Sequence, residues 1–305
     1  MSSDAIIPRA GGALLEPFDF LSPSSIDEAV QTLASKGNQA RIMAGGTDML
    51  VQMRAGRGTA PFVVDIKDIP ELNEVSYDAS KGLTLGAAVP CYRIYEDKTL
   101  SDAYPGLMDA ASLIGGIQIQ GRASIGGNIC NAAPSGDSIP IVIALGGICN
   151  IAGANGTRQL PVEEMCTAPG RNALEEGEFL VSIHFPAPQA NSGANYLRFI
   201  PRNEMDIAVA GVGSSVQLDA SGQNFVSARI ALASVAPTPV FAKEAGDSLA
   251  GKPVNEDTIQ AASELAQSAA KPISDMRGTV RQRTHLIGVL TRRTLNNAIE
   301  RARGA

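Results

Sequence analysis

The sequence predicts an α+β chain built in two successive parts, and three observations carry that expectation. Up to about residue 188, short apolar runs with strand character are separated by Gly, Asn and Pro and interrupted by helical patterns. At 186–193, "PAPQANSG" brings two prolines, small polar residues and a glycine, which places a boundary near 190. Beyond it, three strand-like segments precede two helical stretches, the order of a separate α+β domain. With 305 residues and 44% hydrophobic composition, the chain can bury sizeable cores.

The elements follow in order. In "FDFLSPSSIDEAVQTLASKGNQARIMAGG", Ser24 or Ser25 can cap a helix that places Ile26, Ala29, Val30 and Leu33 on one face, and Gly37 ends it. Ile42 to Ala44 then predict a buried strand running into a glycine pair. "TDMLVQMRAG" supplies a short helical turn and "FVVDI" at 62–66 a second strand. In such a strand, loop, helix, strand unit, Gly45 and Gly46 lie at a strand end, where α/β folds place ligands. The second block, about 70–188, has strands in "LNEVSYD", "GLTLGAAV", "ICNIAG" and "FLVSIHFP", with helices near 103–114 and 138–146. Another glycine pair, Gly126 and Gly127, falls between those helices. Asn155-Gly156 predicts a hairpin turn. After the boundary, "NYLRFIP", "DIAVAGVGSSVQLDASG" and "VSARIALASV" alternate as strands with a Ser-Gly turn at 221–222, before helices near 255–270 and 279–302.

The net charge of −6 gives no electrostatic footprint for nucleic acid. The start, "MSSDAIIPRAGG", lacks the apolar core of a signal peptide, and the apolar run "IPIVIALGG" is too short to span a bilayer, so a cytoplasmic location is expected. Cys91, Cys130, Cys149 and Cys166 form no C-x-x-C pair, and with His184 and His285 as the two histidines no metal-ligand set is written. Walker, nucleophile-elbow and H-E-x-x-H motifs are absent from the sequence.

Consecutive glycines let successive N–H groups converge on one concavity, a nest that binds anions without a basic side chain. Thr47 adds a hydroxyl to the first loop, where Asp48 can cap the next turn. Ser124 and Asn128 add donors beside Gly126 and Gly127. Two such loops suit the two halves of a pyrophosphate, and hence a dinucleotide. Asp137 could then accept from ribose hydroxyls or an adenine amino group; it could equally be a helix N-cap before "SIPIVIAL".

"AGGTDMLVQMRAG" followed by "SIGGNICNAAPSGDSIP" resembles the two flavin-binding signatures of the medium, FAD-binding subunit of molybdenum hydroxylases, the family of carbon monoxide dehydrogenase and xanthine dehydrogenase. "EGEFLVSIHFP", "YLRFIPRNEMDIAVAGVG" and "RGTVRQRTHLIGVLTRRTL" extend the likeness along nearly the whole chain. The resemblance implies a p-cresol methylhydroxylase-type FAD-binding domain over 12–188, with α+β subdomains of about 12–68 and 69–188. A C-terminal domain of three antiparallel strands and helices would occupy 192–303.

By that resemblance, Ile42, Met43, Ala44, Gly45, Gly46, Thr47, Asp48 and Met49 wrap the FAD pyrophosphate, and Ser124, Ile125, Gly126, Gly127 and Asn128 complete the cradle. Asp137 holds the adenosine side and Leu180 lies against the cofactor. Arg198 stands where relatives often carry a lysine near the flavin, and Ile114 where xanthine dehydrogenases place an aromatic. Relatives commonly show R-N-x-G-T where this chain has Gln120, Gly121, Arg122, Ala123 and Ser124. FAD alone is expected here, because nothing resembles the cysteine-bearing loop of the benzoyl-CoA-type reductases.

The resemblance further implies an electron-transfer role. A large molybdopterin-binding subunit and a small subunit with [2Fe–2S] clusters would be partners in a heterotrimer or its dimer, and electrons would leave to an external acceptor. Two rivals remain at this stage: a stand-alone FAD-dependent oxidoreductase of the same cofactor fold, and a flavin-free interaction protein docking through Arg277, Arg281, Arg283, Arg292 and Arg293.

Overall fold

The computed structural model describes residues 15–304. Residues 1–14, which include the expected domain start at residue 12 and the stretch "MSSDAIIPRAGG", lie outside the described residues, as does Ala305. Strand β1 (Asp19–Leu21) leads to helix α1 (Ile26–Lys36). Ser25 is the cap, its side chain accepting from the Glu28 N–H, while Ser24 donates to the Glu28 carboxylate. Gly37, at φ 54°, ends the helix as expected. Ala29 and Leu33 are its buried face, with Ile26 and Val30 partly covered.

Strand β2 (Ala40–Met43), helix α2 (Met49–Arg54) and strand β3 (Phe62–Asp65) form the predicted unit. β3 pairs in parallel with both β2 and β1, giving the order β1-β3-β2. At three residues, β1 is too short to show a periodicity in sequence. The parallel arrangement aims the loop after β2 out of the carboxyl end of the sheet.

The second sheet is antiparallel. It uses β4 (Val75–Asp78), β5 (Gly82–Gly86), β6 (Ile148–Gly153), β7 (Gly156–Pro161) and, after the small ribbon of β8 (Cys166–Ala168) and β9 (Arg171–Asn172), β10 (Phe179–Phe185). The order is β4-β5-β10-β6-β7. Gly153 and Gly156 face each other across the expected hairpin. Between β5 and β6 run α3 (Cys91–Tyr95), α4 (Lys98–Ala103), α5 (Pro105–Ala111), α6 (Ile117–Gln120), α7 (Ile125–Asn131) and α8 (Ile139–Ala144). The second glycine pair is therefore not in a loop, as predicted, but inside the first turn of α7. Ser124 caps that turn and offsets part of the poor helix propensity of two glycines, while burial of Ile125 and Ile129 anchors the helix.

After residues 186–191 comes a third sheet, β11 (Ser192–Phe199), β12 (Ala210–Leu218), β13 (Phe225–Ala233) and β14 (Val240–Phe241), in that spatial order. Three of its strands were expected; the fourth, β14, is a two-residue edge pairing with Ala231 and Leu232. The chain continues through α9 (Lys243–Asp247), α10 (Glu256–Ala269) and α11 (Val280–Ala302). Alternation along the strands feeds two cores. Ala194, Tyr196 and Ala231 join the core under α5 and α8, whereas Val212, Ile230 and Leu232 pack with Ile287, Leu295 and Ala298 of α11. The sheet is thus covered on both faces, one by helices from the first part of the chain.

The arginine-rich helix does not present one docking face. Arg283 is 4% exposed and donates to the Val209 and Ser234 carbonyls and to Asp275, while Arg292 donates to Gln260. No helix among the described residues is long and apolar enough to cross a membrane.

Candidate functional site

A cleft of about 910 Å³ lies along the β2–α2 loop, the start of α7, strand β10 and the segment 174–178 before it. Of the residues expected to bind a cofactor, Ile42 to Met49, Ile114, Ser124, Gly126, Gly127, Asn128 and Leu180 line it.

One wall is the glycine loop. A Cβ on Gly45 would stand 1.9 Å from the Arg122 carbonyl oxygen, so glycine is required because another stretch of backbone, rather than a ligand, presses on that side. Gly46 has φ 74°, the left-handed conformation that closes a backbone nest. Among the described residues, the N–H groups of Gly45, Gly46 and Thr47 have no protein acceptor. Asp48 sits at the N-cap position of α2 without a side-chain capping bond, contrary to the expected cap. Loss of hydration against the surrounding protein pushes its carboxyl above the usual range.

The facing wall is the first turn of α7. Ser124 Oγ accepts from the Gly127 N–H at 3.0 Å. A Cβ on Gly126 would come within 2.4 Å of the Ala87 carbonyl oxygen, so this glycine, too, serves close packing. Asn128 Oδ1 accepts from the Ser138 hydroxyl at 2.7 Å and the Ser138 N–H at 3.3 Å. A backbone N–H can only donate, so the oxygen must face Ser138, and the Asn128 Nδ2 is left to donate from the cleft wall. Ile114 and Leu180 give the cleft apolar surface for a planar ring.

Ile125, Asp137 and Arg198 are not brought to this wall. Ile125 is 1% exposed and belongs to the core beneath α7. Asp137 is neither a cap nor turned to the cleft: Oδ1 accepts from the Tyr196 hydroxyl at 2.9 Å and Oδ2 from Arg198 Nη1 at 2.5 Å. Burial pushes the Asp137 carboxyl up, against the opposing pull of Arg198. The pair joins the segment before α8 to β11, a tertiary partnership that spacing could not show.

The cleft also holds residues not singled out in the sequence. Arg41 donates to Gln52 Oε1 at 3.1 Å, and Gln52 Nε2 donates to Asn131 Oδ1 at 2.9 Å, a polar bridge between the two walls. An arginine inside the strand "ARIM" was the available hint. Cys130 lines the cleft too, and burial pushes its thiol up to about 12, so it is a neutral, unreactive group at pH 7. Among the described residues, no group of three or more His, Cys, Asp or Glu side chains could hold a metal ion.

These residues fit a dinucleotide with a pyrophosphate. The acceptor-free N–H groups of Gly45, Gly46 and Thr47 and the Asn128 amide, all on residues of the cleft wall, can supply donors to phosphate oxygens, and apolar side chains continue the cleft.

Comparison with known proteins agrees with that chemistry. A family model described as "FAD binding domain in molybdopterin dehydrogenase" matches residues 16–188, and one described as "CO dehydrogenase flavoprotein C-terminal domain" matches 195–298. The xanthine dehydrogenase FAD-binding subunit of Escherichia coli O157:H7 is 33% identical over 94% of this chain and 99% of its own. The carbon monoxide dehydrogenase medium chain of Afipia carboxidovorans is 32% identical over 94% and 98%. Among solved structures, a chain of cyanide-inactivated Cu,Mo-CO dehydrogenase superposes with TM-score 0.89 at 30% identity, covering 94% of this chain and 99% of that one. A chain of quinoline 2-oxidoreductase from Pseudomonas putida 86 gives 0.86 at 29% identity, covering 95% and 99%.

Proposed function

Because the chain belongs to the family of FAD-binding medium subunits of xanthine and carbon monoxide dehydrogenases, we propose that it works as the electron-transfer arm of a cytoplasmic molybdenum hydroxylase complex. It is an FAD-binding oxidoreductase component. In the proposed complex, a large subunit carries the molybdenum cofactor and a small one the [2Fe–2S] clusters, as a heterotrimer or its dimer. FAD, when bound, supplies a redox centre able to exchange one or two electrons, suited to a junction between such clusters and an external acceptor.

The residues of this chain bind and orient. Gly45, Gly46 and Thr47 donate backbone N–H groups to the pyrophosphate, and Asn128 donates from the facing wall. Ser124 stiffens that wall by holding the α7 turn closed. Ile114 and Leu180 exclude water from the ring face. The observation that carries the reading is the set of three successive amides on residues that line one cleft, none with a protein acceptor among the described residues.

The test is purification of the chain with its native partners. Acid-released FAD at one equivalent, together with co-purifying molybdenum and iron–sulfur subunits, is the expected result. A colourless chain that also fails to take up added FAD would sink the proposal, and a yellow chain that purifies alone and turns over substrate would favour the stand-alone rival.

A further inference from the structure

We infer that Lys67 and Arg122 are positioning residues for cofactor binding: from outside the cleft, each captures a carbonyl of the glycine loop and so turns the amide of that same peptide toward the pyrophosphate. The inference rests on the reading above that this loop holds the FAD pyrophosphate.

Lys67 Nζ donates to the Ala44 carbonyl oxygen at 3.2 Å, and Arg122 Nε donates to the Gly45 carbonyl oxygen at 2.9 Å. The peptides are trans, so each N–H points away from its own carbonyl. The Ala44 carbonyl shares its peptide with the Gly45 N–H, and the Gly45 carbonyl with the Gly46 N–H. Two successive peptides are therefore gripped at their oxygen ends by side chains that do not line the cleft, while the residues carrying the N–H groups do line it.

Each cation is itself fixed. Lys67 follows β3, the strand paired with β2, and its ammonium is also bonded to Asp65, whose side chain is 10% exposed. Arg122 precedes the capped turn of α7, and its own carbonyl oxygen is the atom that a Gly45 Cβ would strike. One wall of the cradle thus sets the peptide orientation of the other.

Such clamps are needed because glycine on one side of the Ala44–Gly45 peptide and on both sides of the Gly45–Gly46 peptide leaves little steric barrier to flipping. Flipped, the same peptides would present carbonyl oxygens to phosphate oxygens, which cannot bind them. Affinity scales with the fraction of molecules in the competent orientation, so a loop released to one competent molecule in ten binds about tenfold more weakly.

The experiment uses the full chain freed of flavin, with three variants: Arg122→Met, Arg122→Lys, and Lys67→Met combined with Asp65→Asn so that no unpaired carboxylate is left behind. FAD is titrated by fluorescence quenching and inorganic pyrophosphate by calorimetry, beside the thermal midpoint of the apoprotein. The expected result is about tenfold weaker FAD binding in Arg122→Met and in the double variant. Pyrophosphate binding should weaken in parallel, Arg122→Lys should recover part of the loss, and the apoprotein midpoint should hold. FAD affinity equal to wild type in both, or a loss that tracks a falling midpoint and is not recovered by Arg122→Lys, overturns the inference. Failure of the wild-type chain to bind FAD would instead remove the cofactor reading on which it rests.

Discussion

Substituting Gly45 by alanine should weaken cofactor binding by wedging the two walls of the cradle apart. The added Cβ would lie 1.9 Å from the Arg122 carbonyl oxygen, 2.5 Å from its carbon and 3.1 Å from the Ala123 nitrogen. All three are backbone atoms, so no side chain can swing aside. Ordinary carbon–oxygen contact starts well above 3 Å, and relief requires the two walls to part by more than an ångström. Overpacking of this kind costs about 1–3 kcal/mol. The displacement falls on the nest itself, where donors must keep hydrogen-bond distance to phosphate oxygens. The expected result is a weakening of FAD binding by at least about tenfold, or ~1.4 kcal/mol, measured as flavin retained after gel filtration and as Kd by titration. Gly121→Ala is the matched control, since it lies nearby with open space around its Cβ. A Gly45→Ala chain that keeps one equivalent of FAD with wild-type affinity would refute the reasoning.

Other consequences can be checked with the same protein. Asn128→Asp replaces the amide that donates from the cleft wall by a carboxylate that repels phosphate, so FAD binding should weaken at least about fivefold, the loss of one hydrogen bond of about 1 kcal/mol; equal Kd values would show that Asn128 does not donate to the cofactor. Asp137→Asn leaves Arg198, 4% exposed in its side chain, without its counter-ion. It should cost about 3–5 kcal/mol of stability, while folded protein keeps its flavin; selective flavin loss without a drop in thermal midpoint would instead return Asp137 to the cofactor. Glu178 is held below glutamate's ordinary 4.5, chiefly by the Arg158 guanidinium. Its folded value is lower than its unfolded one, so its stabilisation is complete above about pH 4.5 and is lost as pH falls through the folded value. Glu178→Gln should therefore flatten the acid limb of the stability profile, and an unchanged limb would argue against the pair's contribution.

Much of this molecule is legible where local chemistry decides the outcome. Ser25 and Gly37 frame α1, and "FVVDI" is the strand its apolar run suggests. The cradle is found from sequence because two glycine pairs, each beside small polar residues, point together to a pyrophosphate where either alone would fit an ordinary turn. What the sequence withholds is the partner of each group. Gly45 and Gly126 are both glycine because distant backbone approaches them, from Arg122 and Ala87. Asp137 has the spacing of a cofactor ligand, yet Tyr196 and Arg198 occupy its carboxylate. The Arg41–Gln52–Asn131 bridge joins residues far apart in sequence and carries no motif. β1 and β14 are too short for alternation to reveal.

Asp109 on α5 takes four hydrogen bonds from the last part of the chain: from Asn195 Nδ2, the Tyr196 N–H and both terminal nitrogens of Arg301. The third sheet also shares its core with α5 and α8. The junction near residue 190 therefore divides two sheets without dividing their packing. Cutting the gene there would strip the cover from Ala110, Ile141 and Tyr196 at once, so neither half is a sound fragment to express. Heating should melt cradle and C-terminal helices in a single transition, which means that the grip on the cofactor draws on stability stored in residues some 190 positions further along the chain than Asp109.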